Sequence, residues 1–165
     1  MKRVPGLIAA ALLVAIDQLT KFFAARHLSG GPCVLIPGVL ELRYVENHGA
    51  AFGILPGKQW FFILLTVVML IAFLVIYLRQ NEESRPLPLN LALIGLIGGA
   101  AGNLIDRVYF HFVRDFIYFR LIDFPVFNVA DICVTVSAVI FIIYVLFFGD
   151  DDKAEDRQGK GKSHE

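Results

Sequence analysis

Apolar residues gather into long blocks along this chain, and most polar residues fall between the blocks. A helix rises about 1.5 Å per residue, so roughly 20 apolar residues in a row cross the hydrocarbon core of a bilayer. Trp60 to Leu78 and Leu87 to Ile105 meet that length. Ile132 to Phe148 is slightly short, but it becomes a full span if Asn128, Val129, Ala130 and Asp131 form its first turn, which puts Asp131 at a membrane boundary. Nearest the N-terminus, an uncharged run from Pro5 to Ile16 meets Asp17 and Lys21 and then resumes through Phe22, Phe23, Ala24 and Ala25. This reads as a further span with polar groups near its far end. Lys2 and Arg3 before an apolar run also open many cleaved signal peptides, but Asp17-Gln18-Leu19-Thr20-Lys21 offers no small-x-small cleavage pattern, so an uncleaved anchor is expected.

Four spans put both termini on one side of the membrane. The connection Gln80 to Pro86 on that side is a short polar turn, whereas His27 to Gly57 and Asp106 to Phe127 on the other side are long. Long ordered loops in compact domains are usually functional, so the chemistry is expected on that second side. Cys33 to Val45 holds apolar runs broken by Pro37-Gly38, which predicts a small sheet built from the first long loop. The fold class is thus an all-α membrane protein of four transmembrane helices with a small β-containing subdomain. Residues 1–148 form the membrane domain, with loops at about 27–57 and 106–127. Residues 149–165 are polar and charge-dense, and are expected to be a disordered tail.

Composition agrees with the membrane class: 57% of the 165 residues are hydrophobic and the mean hydropathy is +0.67. The 15 Lys and Arg balance the 15 Asp and Glu, so no basic excess points to a nucleic-acid partner. Across the proposed topology the positive residues divide eight on the terminal side against seven opposite, so charge bias does not set the orientation. Cys33 and Cys133 are far apart and lack CxxC spacing, and the four histidines form no helical pair, so no metal site, disulfide framework or cofactor is expected.

An ionisable side chain in a bilayer is costly unless it faces a cavity or a partner. Those near the spans are Asp17, Lys21, Asp106, Arg107, Arg114, Asp115, Asp123 and Asp131, all on one side of the topology. Asp17 and Lys21 sit four apart, acid first, the favourable order for an ion pair on one helix face. Asn103, Asp106 and Arg107 form a second patch that also reads as structural. The overlapping Gly95-x-x-x-Gly99 and Gly98-x-x-x-Gly102 pairs just upstream predict a closely packed third helix.

Asp115 and Asp131 bracket the connection between the third and fourth spans, so both carboxylates can meet at the membrane surface. Two carboxylates in one site do not ionise together readily, which leaves an acid and a base near neutral pH, able to activate water against a peptide carbonyl. Plainer readings stand beside this one. Asn128-x-x-Asp131 resembles a capping box, and Asp115 can pair with adjacent arginines. A small ion-coupled transporter is the alternative function, because intramembrane acids also line ion paths.

Five ordered blocks sharpen the choice: Asp17-Gln18-Leu19-Thr20-Lys21; Asn47-His48-Gly49-Ala50-Ala51-Phe52; Gly98-Gly99-Ala100-Ala101-Gly102-Asn103-Leu104-Ile105-Asp106-Arg107; Val113-Arg114-Asp115-Phe116-Ile117; and Phe127-Asn128-Val129-Ala130-Asp131. In these blocks, spanning residues 17 to 131, the chain resembles the lipoprotein signal peptidase (signal peptidase II) family. The resemblance implies an intramembrane aspartyl endopeptidase with Asp115 and Asp131 as its catalytic pair. Asn47, Asn103, Arg107 and Asn128 would then line or brace the site, with Asp17, Lys21 and Asp106 as structural polar groups. It further implies a lipid-modified prolipoprotein as substrate, cut on the amino side of its diacylglyceryl cysteine, with membrane lipids as the other partner. The location implied is the bacterial inner membrane, with cytoplasmic termini and the active site on the outer face. Of the two acids, Asp131 in a helical first turn is expected to be the ionised member and Asp115 the protonated one.

Overall fold

Each apolar block folds as a helix, and the two long connections join in one sheet. The structure, a computed structural model, describes residues 3–49, 58–81 and 86–161, with side chains as far as Phe148. The helices are α1 (Arg3–His27), α2 (Gln59–Arg79), α3 (Leu87–Phe110) and α4 (Val129–Gly161). All four are long and apolar enough to cross a membrane, α4 over Val129–Phe148. Where the sequence suggests a disordered tail from residue 149, α4 continues to Gly161, with the side chains past Phe148 outside the described residues; residues 162–165 and Ala50, Ala51 and Phe52 of the second block also lie outside them.

α3 is the central helix, with more of its apolar stretch buried than any other span. Leu89, Leu93, Ile94 and Ile97 pack with Ala10 of α1, Tyr77 of α2 and Tyr144 of α4. Its glycines explain the tight fit. A Cβ on Gly99 would stand 2.6 Å from the Ala130 carbonyl oxygen, and one on Gly102 would stand 2.5 Å from Asp17 Oδ2. Lipid supplies no hydrophobic drive between helices, so this close backbone approach is what holds them. Gly98 meets Ala10 and Leu13 while Gly102 meets Asp17, so α1 runs alongside α3 in the same direction. Gly95 meets Ser137 while Gly99 meets Ala130, so α4 runs the opposite way. On the outward faces large apolar residues such as Leu64, Val68, Val139 and Leu146 stay exposed, as a lipid-facing helix requires.

Two boundaries differ from those the sequence suggests. α3 continues past Ile105 to Phe110, so Asp106 and Arg107 lie on the helix and not in the loop. The apolar run stops at Asp106, but the helix does not, because the folded chain supplies partners for that carboxylate. The sheet also draws on both connections and not on the first alone. β1 (Cys33–Ile36), β2 (Leu40–Asn47) and β3 (Val113–Phe119) pair antiparallel in that order. β3 covers an edge of β2 that would otherwise leave its N–H and C=O groups unpaired. The register sets Val45 opposite Asp115 and Asn47 opposite Val113, with an irregularity between Leu42 and Val45. This pairing fixes the loop after α1 to the loop after α3.

Candidate active site

β3 is buried on both faces at its start, and strand alternation sends neighbouring side chains in opposite directions. Arg114 turns toward α1 and α3; Asp115 turns toward α4. Asn47, diagonal to Asp115 across the β2–β3 pair, donates from Nδ2 to Asp115 Oδ2 at 2.9 Å, and its own Oδ1 accepts the Gly49 N–H at 3.0 Å. After β3 a one-turn 3-10 helix, Arg120–Ile122, reverses the chain. Phe127 then bonds back to β3, accepting from Ile117 N at 2.8 Å and donating to Ile117 O at 3.0 Å. This return brings Asn128 beside Asp115, where Nδ2 donates to Asp115 Oδ1 at 2.6 Å. Each Asp115 oxygen therefore receives one amide hydrogen.

Asp131 stands in the first turn of α4, and the expected capping box is formed. Asp131 N donates to Asn128 Oδ1 at 3.0 Å and Asn128 N donates to Asp131 Oδ2 at 3.1 Å. The other Asp131 oxygen accepts from Asn103 Nδ2 at 2.8 Å. Capping and a place in the site are thus compatible, since the cap uses one oxygen.

Beneath the two acids lies a buried ionic layer. Lys21 Nζ is 2.8 Å from Asp17 Oδ2 and 3.6 Å from Asp106 Oδ2. Arg114 binds Asp106 three times, from its backbone N at 2.9 Å, Nε at 3.1 Å and Nη2 at 2.7 Å. Gln18 closes the layer, accepting from Arg114 Nη2 at 2.8 Å and donating to Asp106 Oδ1 at 3.0 Å. The reading of Asp115 as a partner of its neighbouring arginine is therefore corrected: Arg114 belongs to Asp106, on the opposite face of the strand. Asp17 also accepts the Ala130 N–H at 2.9 Å, tying α1 to the start of α4.

Asp115 and Asp131 line the same cavity, of about 580 Å³, with Asn47, Arg107, Phe124 and Val134 among its other walls. Asp115 is only 2% exposed. Burial first, and the nearby Asp131 carboxylate second, push its carboxyl from an ordinary 3.8 up to about 7. Arg107 Nη1 reaches the Asn103 carbonyl oxygen at 3.5 Å, its guanidinium lies over the Phe62 ring at 5.6 Å, and its Nε has no hydrogen-bond partner among the described residues. Among the described residues no three His, Cys, Asp or Glu side chains gather at metal-binding distance.

Of the charged residues near the spans, the fold brings seven into this one region and leaves Asp123 outside it. Asp123 accepts the Tyr118 hydroxyl at 2.5 Å, at the exposed end of the sheet. Gln18 has a central place that sequence reasoning did not single out. Its signal was its place in the first resembling block, between Asp17 and Lys21, which shows no chemistry until α3 and β3 are in place.

The comparisons with known proteins agree with one another. A family model described as signal peptidase (SPase) II matches residues 9–147. The chain is 40% identical over 144 residues to a lipoprotein signal peptidase of Streptococcus pyogenes serotype M5, covering 87% of this chain and 93% of the relative. A second, from serotype M3 of the same species, is 39% identical over the same share of each chain. Two solved structures of a bacterial membrane enzyme superpose on it. One has a TM-score of 0.79 at 36% identity, covering 86% of this chain and 87% of the other. The second has a TM-score of 0.77 at 35% identity, covering 87% and 94%.

Proposed function

The chain belongs to the signal peptidase II family, and from that premise we propose that it removes the signal peptide from prolipoproteins by aspartyl catalysis at Asp115 and Asp131. The observation that carries this is the delivery of both carboxylates, from different elements, to one cavity, each held by asparagine amides. Asp131 takes a proton from a water as that water attacks the scissile carbonyl carbon, and Asp115 gives its proton to the carbonyl oxygen. As the tetrahedral intermediate collapses, the C–N bond breaks, the departing amine receives the proton held by Asp131, and Asp115 takes back a proton from the hydroxyl that re-forms the C=O bond. The raised pKa of Asp115 supports its assignment as the proton donor. Apolar walls such as Val45, Val113 and Val134 exclude water and strengthen both interactions. Asn47, Asn103 and Asn128 fix the carboxylates, and Arg107 supplies positive charge at the cavity wall.

The substrate is a precursor carrying a diacylglyceryl-modified cysteine, cut on the amino side of that residue, with surrounding membrane lipids as the other partner and no nucleic acid. The enzyme sits in the bacterial cytoplasmic membrane with both termini inside and the sheet end outside. Detergent-purified protein incubated with a lipid-modified precursor is expected to yield a shortened product by mass spectrometry. Asp115→Asn and Asp131→Asn are each expected to remain folded and lose roughly 100-fold or more in turnover. Near-normal turnover by either variant overturns the assignment of the pair.

A further inference from the structure

Lys21 is wholly buried, and an ammonium taken out of water has to be bonded on several sides. Asp17, one turn earlier on α1, is one partner, and an ion pair that only neutralises would end there. Lys21 goes further and donates to Asn103 Oδ1 at 2.8 Å. An amide has a donor end and an acceptor end, whereas an ammonium only donates. With its oxygen bound by Lys21, Asn103 has to present its nitrogen the other way, to Asp131 Oδ1. The same Asn103 oxygen accepts from Asn128 Nδ2 at 3.2 Å, and that nitrogen also donates to Asp115 Oδ1. Both carboxylates are thereby connected to one ammonium, through one amide for Asp131 and two for Asp115.

We propose that Lys21 is a positioning residue for the two aspartates: by binding Asn103 Oδ1 it fixes the orientation of the Asn103 and Asn128 amides, and through them the hydrogen bonds that aim Asp131 and Asp115. This rests on the catalytic reading of that pair and extends it beyond an α1 ion pair. The charges facing Lys21 are Asp17 on α1 and Asp106 on α3. Those facing the aspartates are Arg107 on α3 and Lys21 itself, while Glu46 of β2 and His48 just after that strand stand farther out on the cavity wall. Arg114 of β3 is taken up by Asp106. The Lys21 charge opposes the upward shift of Asp115, so its removal moves that carboxyl higher still.

Two variants separate positioning from neutralisation. Lys21→Met keeps the chain length and removes the charge and the donors. Asp17→Asn/Lys21→Met also removes the acid that the single change leaves unpaired, and carries the test if the single variant does not fold. kcat and KM are measured against the lipid-modified precursor across pH 5 to 9, with melting temperature as the control for folding. The double variant is expected to melt near the parent and to lose about 10- to 100-fold in kcat, with KM within about twofold. A folded single variant is expected to show the same loss, with the alkaline limb of its pH profile moved upward. A folded double variant with parental kcat overturns the proposal, whatever its KM, because Lys21 then only neutralises Asp17. The same assay run on Asp115→Asn and Asp131→Asn distinguishes the two failures. If those variants cut normally, the catalytic pair itself is wrong; if they are inactive while the double variant is not, only the positioning role falls.

Discussion

Asp115 carries a proton affinity that its position on β3 imposes, and this has a consequence for stability. An acid that binds its proton more tightly in the folded chain than in the unfolded one stabilises the fold less as pH rises. Below the ordinary 3.8 both states hold the proton, between 3.8 and about 7 the unfolded chain releases it first, and above about 7 the loss is complete. The full difference is on the order of 4 kcal/mol. Asp115→Asn has no such titration, so its melting temperature in detergent is expected to fall less between pH 4 and pH 8 than the parent's. Parallel declines would show that Asp115 is not the group responsible. Asp131 teaches a different lesson at this scale. Its cap uses one oxygen, so a helix-start signature and a candidate catalytic role occupy one side chain without conflict.

Among the elements, α3 and β3 determine where the site is. α3 presents a glycine face on which α1 and α4 close, and this closure brings Asp17 to Gly102 and Ala130 to Gly99. Gly99→Val places its Cβ against the Ala130 carbonyl, a backbone atom that cannot swing away as a side chain would. A destabilisation of about 1–3 kcal/mol is expected from the overpacking, read as a lower melting temperature. Turnover should fall with it, since Ala130 is next to Asp131. β3 works in the other direction, with Arg114 anchored to Asp106 on one face so that Asp115 is held toward the cavity on the other. The strand is a spacer one residue thick between the buried ionic layer and the cavity.

For the whole molecule, the polar chemistry is concentrated where the sheet meets the helices, and the rest of the helical surface is apolar and exposed. Residues 149–165 add only a charge-dense segment that follows the last span. Deletion of 149–165 is expected to leave turnover in detergent within about twofold of the parent, measured on the same lipid-modified precursor. A much larger loss in folded, truncated protein would mean that the segment touches the working end.

Four spans, their approximate limits and the close packing of α3 were legible in the sequence, because hydropathy and glycine spacing are local properties that lipid enforces strongly. The residues that line the candidate site were named as well, through the five blocks and the rule that membrane acids need partners. The Asp17–Lys21 pair was legible because its members sit four apart on one helix, but the other polar partners were not, because they join residues far apart in the chain, such as Lys21 with Asp106, Arg114 with Gln18 and Lys21 with Asn103. The third strand was missed for the same reason: β2 and β3 lie on separate connections, and nothing within either segment names the other. Local pattern told which residues would be buried in the membrane, and only tertiary contact decided whether each charge would brace the fold or face the cavity.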